Sequence, residues 1–340
     1  MPRGDETMNI REIATRARVS TATVSRVLNG NSRVTPELRD RVTRVIEESN
    51  YVPNAIARSM NHGKTSILGL ILPDITNPFF PGIARGVEDA ANTLGYKVIL
   101  CNTDNHSQTQ ESYLRILREQ RVDGIILVSS SDLSIEQTSR TVPDVPIVCC
   151  DRAPEAYDTP FVVTDHQMGI NLGVNHLVEL GHRRIGLISG PTLSSSAMRT
   201  QYFIQSLESH GLELPQDAMA VGDYGYDSGY LGMKEILHKS RVTAVFCAND
   251  LMAFGAIAAA FEEGFEVPGD ISILGYDNIP FSNWCHPPLT SVSQPTYLLG
   301  LTAVEMLVEK LTKGDSRTTS CLLEPTLVVR KSTSRAMRGN

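Results

Sequence analysis

The chain has 340 residues, 41% hydrophobic and 20% charged, with 25 Gly, 18 Pro and no low-complexity tract, so it is an ordinary globular protein with room for two or three folding units. Its opening stretch, MPRGDETMNIREI, has no apolar signal-peptide core, and no run is long enough for a membrane span; a cytoplasmic protein is expected. The net charge of −7 is unevenly divided: residues 1–64 carry eleven Lys/Arg against seven Asp/Glu, leaving twenty against thirty-one in the rest, so only the head is suited to a polyanion.

Three short helical patterns open the chain. IREIATRARV places Ile10, Ile13, Ala14 and Ala17 on one face. After a tight turn at Arg18-Val19, VSTATVSRVLNG starts at Ser20 as N-cap, turns Val24, Val27 and Leu28 inward and stops at Asn29-Gly30. TPELRDRVTRVIEESNY has Thr35 as N-cap, Pro36 at the first helical position and a Val42, Val45, Ile46 stripe. The natural assembly is a trihelical unit containing a helix-turn-helix. Its second helix keeps Thr21, Ala22, Ser25 and Arg26 outward, and an arginine one turn in reaches a guanine edge with two parallel hydrogen bonds. Arg33, Arg39, Arg41 and Arg44 are candidates for phosphate neutralisation, which supports affinity rather than sequence choice. The plainer alternative is a three-helix bundle with a solvated Ser/Thr/Arg face.

Next comes YVPNAIARSM. Pro53 blocks a helix and Asn54 restarts one, but Ala55 to Met60 supply only about one and a half turns, too few to be stable alone. Ile56 and Met60 form the only large apolar stripe of this segment, and the polar NHGKT follows.

Beyond residue 64, short β-rich runs (SILGLILPD, YKVILCNTD, VDGIILVSS, VPIVCCD, PFVVTD, RRIGLISG, TAVFCAND, DISILGYD) alternate with helical segments such as FFPGIARGVEDAANTLG and SYLRILREQ. Repeated βα units predict parallel sheets with helices on both faces and ligand-capable residues at the carboxyl ends of strands. GPTLSSS lacks the Lys-Ser/Thr ending of a phosphate loop. The six cysteines form no CxxC and several sit in apolar runs, so buried reduced thiols are expected rather than a metal site or disulfide framework. No Ser/His/Asp order or carboxylate pair stands out, and His106 and His182 read as surface or capping groups; no catalytic residue and no cofactor is expected.

The run from IREIATRARV through YVPNAIARSM resembles the N-terminal signature of the LacI family of transcription regulators. LPDITNPFFPGIARGVEDAA, RVDGII, HLVELGHRRIGLISG, ANDLMAFGAI, DISILGYDN and PPLTSVSQP extend the resemblance over nearly the whole chain. It implies a helix-turn-helix DNA-binding head over 8–53, a hinge helix and linker over 54–64, and a periplasmic-binding-protein-like effector domain over 65–340. That α/β domain has two lobes with parallel sheets, lobe one about 65–162 plus 293–323 and lobe two about 163–292 plus 324–340. Carried over by position, Thr21, Ala22 and Arg26 read bases, while Ser20, Asn29 and Tyr51 hold the DNA backbone. The segment capped by Asn54 becomes a hinge helix that orders on the operator, Ile56 meeting its twin across a homodimer axis and Met60 wedging between base steps where relatives commonly carry Leu.

In the effector domain the same carry-over assigns Arg199 as a ligand clamp, Asn249, Asp277 and Asp151 as hydroxyl partners, Phe80 and Tyr224 as aromatic walls, and Gln294 and Trp284 as weaker candidates near the crossovers. Ala197 stands where a second clamping Arg is often found. Asp277 and Asn249 also suit plain strand-to-helix caps, and Phe80 and Tyr224 ordinary core. The function implied is a repressor on a near-palindromic operator controlled by a small polar effector. A sugar is the leading expectation and a nucleobase or nucleoside the alternative. A sugar-transport protein would need a signal peptide and no basic head. The tail LVVRKSTSRAMRGN lacks a leucine heptad, so no coiled-coil tetramer is expected.

Overall fold

The computed structural model describes residues 8–28, 33–49, 64–128, 134–154, 159–191, 194–314 and 320–337, and the chain separates into two compact units, Met1–Thr65 and Ser66–Asn340.

In the first unit, α1 (Ile10–Arg16) is started by a reciprocal capping box the sequence reading passed over: Asn9 accepts from the amides of Arg11 and Glu12, and Glu12 accepts from the Asn9 amide. Arg18 takes the left-handed conformation (φ 52°) and turns the chain into α2 (Thr21–Leu28), where Ser20 Oγ accepts from the Thr23 amide at 3.1 Å. α3 (Pro36–Glu48) begins with Pro36 in its first turn, but Thr35, though at the N-cap position, makes no side-chain capping bond. Ile13, Ala14, Ala17, Val24, Val27, Val34, Val42 and Val45 form the core, with Ile10, Leu28 and Ile46 packed on its edge. These are small side chains, so the unit rests on close packing rather than on a large buried area.

The second unit holds two six-stranded sheets. The first contains β1 (Ile67–Leu72), β2 (Lys97–Asn102), β3 (Gly124–Leu127), β4 (Ile147–Cys150), β5 (Phe161–Thr164) and the late β11 (Ser320–Leu323), in the order β11-β5-β4-β3-β1-β2. The second contains β6 (Ile185–Ser189), β7 (Met219–Val221), β8 (Ala244–Cys247), β9 (Ser272–Asp277), β10 (Thr290–Ser293) and β12 (Thr326–Val328), in the order β12-β10-β9-β8-β6-β7. The central strands are continuous apolar runs because helices cover both faces. Pairing is parallel except between β10 and β12, where Val292 lies opposite Leu327 in antiparallel register. The alternation of βα units did not foresee that pair, nor the strands β7, β10, β11 and β12. The chain crosses between the sheets three times: after β5, after β10 and after β11.

Each sheet carries one very close helix pair. α4 (Phe79–Thr93) meets α11 (Thr296–Lys313) at Gly86 and Gly300; a Cβ on either would stand 2.1 Å from a carbonyl oxygen of the other helix. α9 (Tyr226–Lys239) meets α10 (Asp250–Glu262) the same way at Gly229 and Gly255, again 2.1 Å from backbone oxygens. Backbone touches backbone at both places, so each pair is a rigid stack.

Cys101, Cys149, Cys150 and Cys247 are buried, Cys285 and Cys321 half-buried, and none is bonded to another. Burial pushes the Cys101 thiol up to about 11 and the Cys149 thiol to about 12, which keeps both protonated and inert at neutral pH. Among the described residues no helix is long and apolar enough to cross a membrane. His106 is exposed, while His182, expected as a surface or capping group, is 2% exposed and bonded to Thr243, Ser272 and the Ser334 carbonyl.

Candidate functional site

In the head, α2 sorts its residues cleanly. Val24 and Val27 are buried, while Thr21, Ala22 and Arg26 are exposed along the opposite face, and Ser20 Oγ is engaged by the Thr23 amide. Arg33, Arg41 and Arg44 are exposed and Arg39 half-buried. Asn29, Tyr51, Asn54, Ile56 and Met60 lie outside the described residues.

In the second unit the polar groups gather around Arg199, which projects from α8 (Ser194–Ser209). Its guanidinium carbon lies 5.6 Å from the Tyr224 ring centre and 5.5 Å from the Tyr276 ring centre, and Nη2 donates to the Tyr224 hydroxyl at 3.1 Å. Arg199 Nε is buried with no hydrogen-bond partner among the described residues. Burial works against this charge, yet Tyr224, Tyr276, Asp277 and Asp151 outweigh it and hold the guanidinium above its ordinary pKa. Tyr276 is fully buried, and its hydroxyl meets His166 Nδ1 at 2.9 Å. Burial, then the Arg199 charge, drives the His166 pKa well down, so the imidazole is neutral.

Two carboxylates share the field of Arg199, one from each sheet. Asp277 ends β9 in a left-handed conformation (φ 107°) and accepts from Gln294 Nε2 at 2.7 Å. Burial first, then the neighbouring Asp250, raises its pKa well above the usual carboxylate range, with Arg199 opposing. Asp151 follows β4, also left-handed (φ 68°), and its carboxylate accepts no hydrogen bond among the described residues. Burial pushes it up to about 6 against the pull of Arg199.

Asn249 is the N-cap of α10. Its Oδ1 accepts from the Met252 amide at 2.9 Å, and its Nδ2 donates to the Tyr224 carbonyl at 2.8 Å, fixing that residue at φ 72°. Phe80 packs edge-on to Phe79 at 5.1 Å against the first sheet's core, and Trp284 is 70% exposed, edge-on to Phe281 at 5.7 Å. Among the described residues neither joins the ring or hydrogen-bond contacts of Arg199. The structure thus brings together Arg199, Tyr224, Asp277 and Asp151, with Gln294 and Asn249 bonded to members of that group.

Sequence reasoning missed two members and one support. Tyr276 stands inside DISILGYDN, beside the residue singled out, and His166 was not linked to it. The support is Asp250, fully buried, which accepts from the Ile279 amide at 2.8 Å and from the hydroxyls of Ser282 and Ser291 at 2.5 Å each. Burial still pushes its carboxyl up to about 6. An unfolded carboxylate gives up its proton near pH 4, roughly. Between there and pH 6 the folded chain therefore holds more protons, and stability from this group falls as pH rises. Thermal unfolding followed from pH 4 to 8 should show Asp250→Asn with a shallower decline than the unaltered chain; parallel curves would rule out a raised Asp250.

The group offers donors, acceptors and one fixed cation. Among the described residues no set of three His, Cys, Asp or Glu side chains is placed to hold a metal ion. A helix-turn-helix head and a two-sheet body carrying a cluster of polar groups are the parts of a ligand-controlled DNA-binding regulator.

Comparison with known proteins gives the family. Residues 9–54 match the bacterial regulatory proteins of the lacI family, and residues 65–330 match the periplasmic binding proteins and sugar binding domain of LacI family. The HTH-type transcriptional repressor PurR of Photobacterium profundum is 35% identical over 95% of this chain and 98% of its own length. The ribose operon repressor of Escherichia coli is 34% identical over 95% and 99%. Among solved structures, a lac repressor dimer bound to operator and the anti-inducer ONPF matches with a TM-score of 0.87 at 30% identity, over 97% of this chain and 100% of that one. The chain belongs to the LacI family. It is a transcription regulator and not an enzyme.

Proposed function

We propose that this chain is a cytoplasmic repressor that binds a near-palindromic operator as a homodimer and releases or tightens its grip when a small polar effector occupies the Arg199 cleft. The observation that carries this reading is the placing of Asp151 from one sheet and Asp277 from the other in the field of one buried guanidinium, Arg199. A ligand bonded to both acids changes the energy of one lobe arrangement relative to another. Coupled through lobe one across the dimer, that difference alters the spacing of the two Ile56–Met60 segments and so operator affinity. The ribose operon repressor and the sugar-binding family description favour a sugar as effector, with a nucleobase or nucleoside second.

The test begins with selection of duplexes from a random pool, followed by titration of the selected operator with candidate ligands. On that operator Arg26→Ala should cost about 1–3 kcal/mol and relax preference at one base pair. Arg44→Ala should weaken every duplex alike and lower the salt dependence. Anisotropy titrations at two salt concentrations separate the two patterns; an exchange of them would reverse the base-reading and phosphate assignments. Failure to enrich any sequence would remove the regulator reading of the head.

A further inference from the structure

β9 reaches the cleft through two consecutive left-handed residues, Asp277 (φ 107°) and Asn278 (φ 57°). Neither is glycine, and a residue with a side chain stays in that region only where its surroundings hold it there. The direction of the Asp277 carboxylate therefore depends on what fixes Asn278. The Asn278 amide donates to Ser291 Oγ at 3.0 Å, its Nδ2 donates to Ser293 Oγ at 3.1 Å, and its Oδ1 accepts from Arg330 Nη2 at 2.7 Å. The first two partners belong to β10, the neighbouring strand. The third comes from the segment after β12, 52 positions downstream.

That segment is held in place by its backbone and its serine. The Arg330 amide donates to Thr290 Oγ1 at 2.9 Å and the Lys331 amide to the Pro288 carbonyl at 2.9 Å. Ser332 Oγ accepts from the Thr290 amide at 2.8 Å and donates to the Ile273 carbonyl at 2.6 Å. The half-buried Arg330 guanidinium reaches beyond this ladder. Its Nη1 donates to the Leu289 carbonyl and its Nη2 to Asn278 Oδ1, each at 2.7 Å. Asn278 opens the loop of residues 278–289 that joins β9 to β10, and Leu289 closes it. One planar fork thus spans both ends of the loop, a geometry that the point charge of a lysine does not reproduce. Just past β10 comes Gln294, whose Nε2 donates to Asp277 Oδ1 at 2.7 Å, so the carboxylate is held from the same two strand ends that the fork joins.

Resting on the effector reading above, we infer that Arg330 is a positioning residue for the cleft: by stapling Asn278 to Leu289 it holds the left-handed Asp277–Asn278 pair, and with it the carboxylate that lobe two presents to a ligand. It acts through Asn278 and not on the ligand itself.

The experiment compares the purified full-length chain with Arg330→Ala, Arg330→Lys, Asn278→Gly and the double variant of Arg330→Ala with Asn278→Gly. Glycine removes the Asn278 side chain without adding strain at φ 57°. Calorimetric titration with D-ribose, cellobiose, hypoxanthine and adenosine, below the onset of unfolding of every variant, gives probe affinity. Hydrogen–deuterium exchange on fragments covering residues 276–283 reports the hold on the loop with no ligand present. Arg330→Ala should weaken whichever probe binds the unaltered chain by roughly tenfold or more. Asn278→Gly should also weaken it, and the double variant should bind no worse than the weaker single one, because both changes cut one link. Arg330→Lys keeps the charge that acts on Asp250 but loses the fork, and should group with Arg330→Ala. In Arg330→Ala, exchange over residues 276–283 should quicken more than over β6 and β8, while operator affinity without ligand stays the same. A plain tail anchor would lower the melting temperature and leave probe affinity untouched; that result overturns the inference, as do additive losses in the double variant or full rescue by lysine. Should none of the probes bind the unaltered chain, the effector reading loses those ligands and exchange decides the staple: quicker local exchange supports it, and equal exchange overturns it. Should Arg330→Ala not fold, Arg330→Lys and Asn278→Gly carry the comparison. Loss of operator binding by the unaltered chain would count against the regulator reading alone.

Discussion

Replacing Arg199 by Ala should abolish the effect of ligand on operator binding while leaving operator binding without ligand intact. The guanidinium is the only cation acting on both Asp151 and Asp277 through the cited shifts, and it also anchors the Tyr224 hydroxyl. A charged hydrogen bond contributes about 1.5–3 kcal/mol, so ligand affinity should fall by roughly ten- to a hundredfold. The head does not share this loss, because its core is built wholly from its own residues, Ile13 through Val45. Stability should change with a characteristic pH dependence. Arg199 lowers the pKa of both acids, so its removal lifts their folded values further above the unfolded ones. The ionised forms then cost more, and the variant should be most destabilised at pH 8 and least at pH 5. Arg199→Lys restores charge without the fork and should recover the pH profile but not the ligand response. A ligand response that survives Arg199→Ala would show that the clamp lies elsewhere.

The second large effect is expected at Asp250. Asp250→Ala strands the Ile279 amide and the hydroxyls of Ser282 and Ser291 in a fully buried site. Opening such a network costs about 3–5 kcal/mol. Urea unfolding monitored through Trp284, the only tryptophan of the chain, reads both the loss of stability and the loosening of the 280–284 loop that Ser282 ties to Asp250. A cost below about 1 kcal/mol would mean that the three donors find water or other partners, and the network would not be a support for the cleft.

The parts of this molecule legible in the sequence are those whose signal is local. The head's three helices, their inward faces and the exposed Thr21, Ala22 and Arg26 follow from spacing and capping residues, and ILGLIL or GIIL announces a central strand. Other parts are set by distant contacts. β10 reads TSVS, a polar run that is nonetheless buried because Asp250 and Ser332 satisfy it from 41 and 42 positions away. β11 reads SCLL and lies at a sheet edge with alternate residues exposed, so it carries little apolar signal. His182 looks like a helix-end histidine, yet its partners lie 61, 90 and 152 residues downstream. The same limit hides Asp250: an acid after Asn249 suggests a cap, while its donors come from positions 29 to 41 residues later. The family resemblance pointed to the cleft residues by position, but only coordinates separate Arg199, with a free Nε, from Asn249, whose amide already serves α10 and Tyr224.

The last crossings of the chain bear on how it is made. The sheet that starts at Ile67 is not finished until β11 joins β5 at Ser320–Leu323, and α4 waits for α11 at Thr296–Lys313 to cover Ile83 and Val87. While the ribosome is still adding the 200s, the earlier lobe exists as a half-built shell with one helix face bare to water. Its companion gains β10 only at Thr290–Ser293 and lacks β12 until Thr326–Val328 emerges. Neither half thus reaches its final form before residues 320–328 have been added, and a nascent chain cut short before residue 296 completes neither.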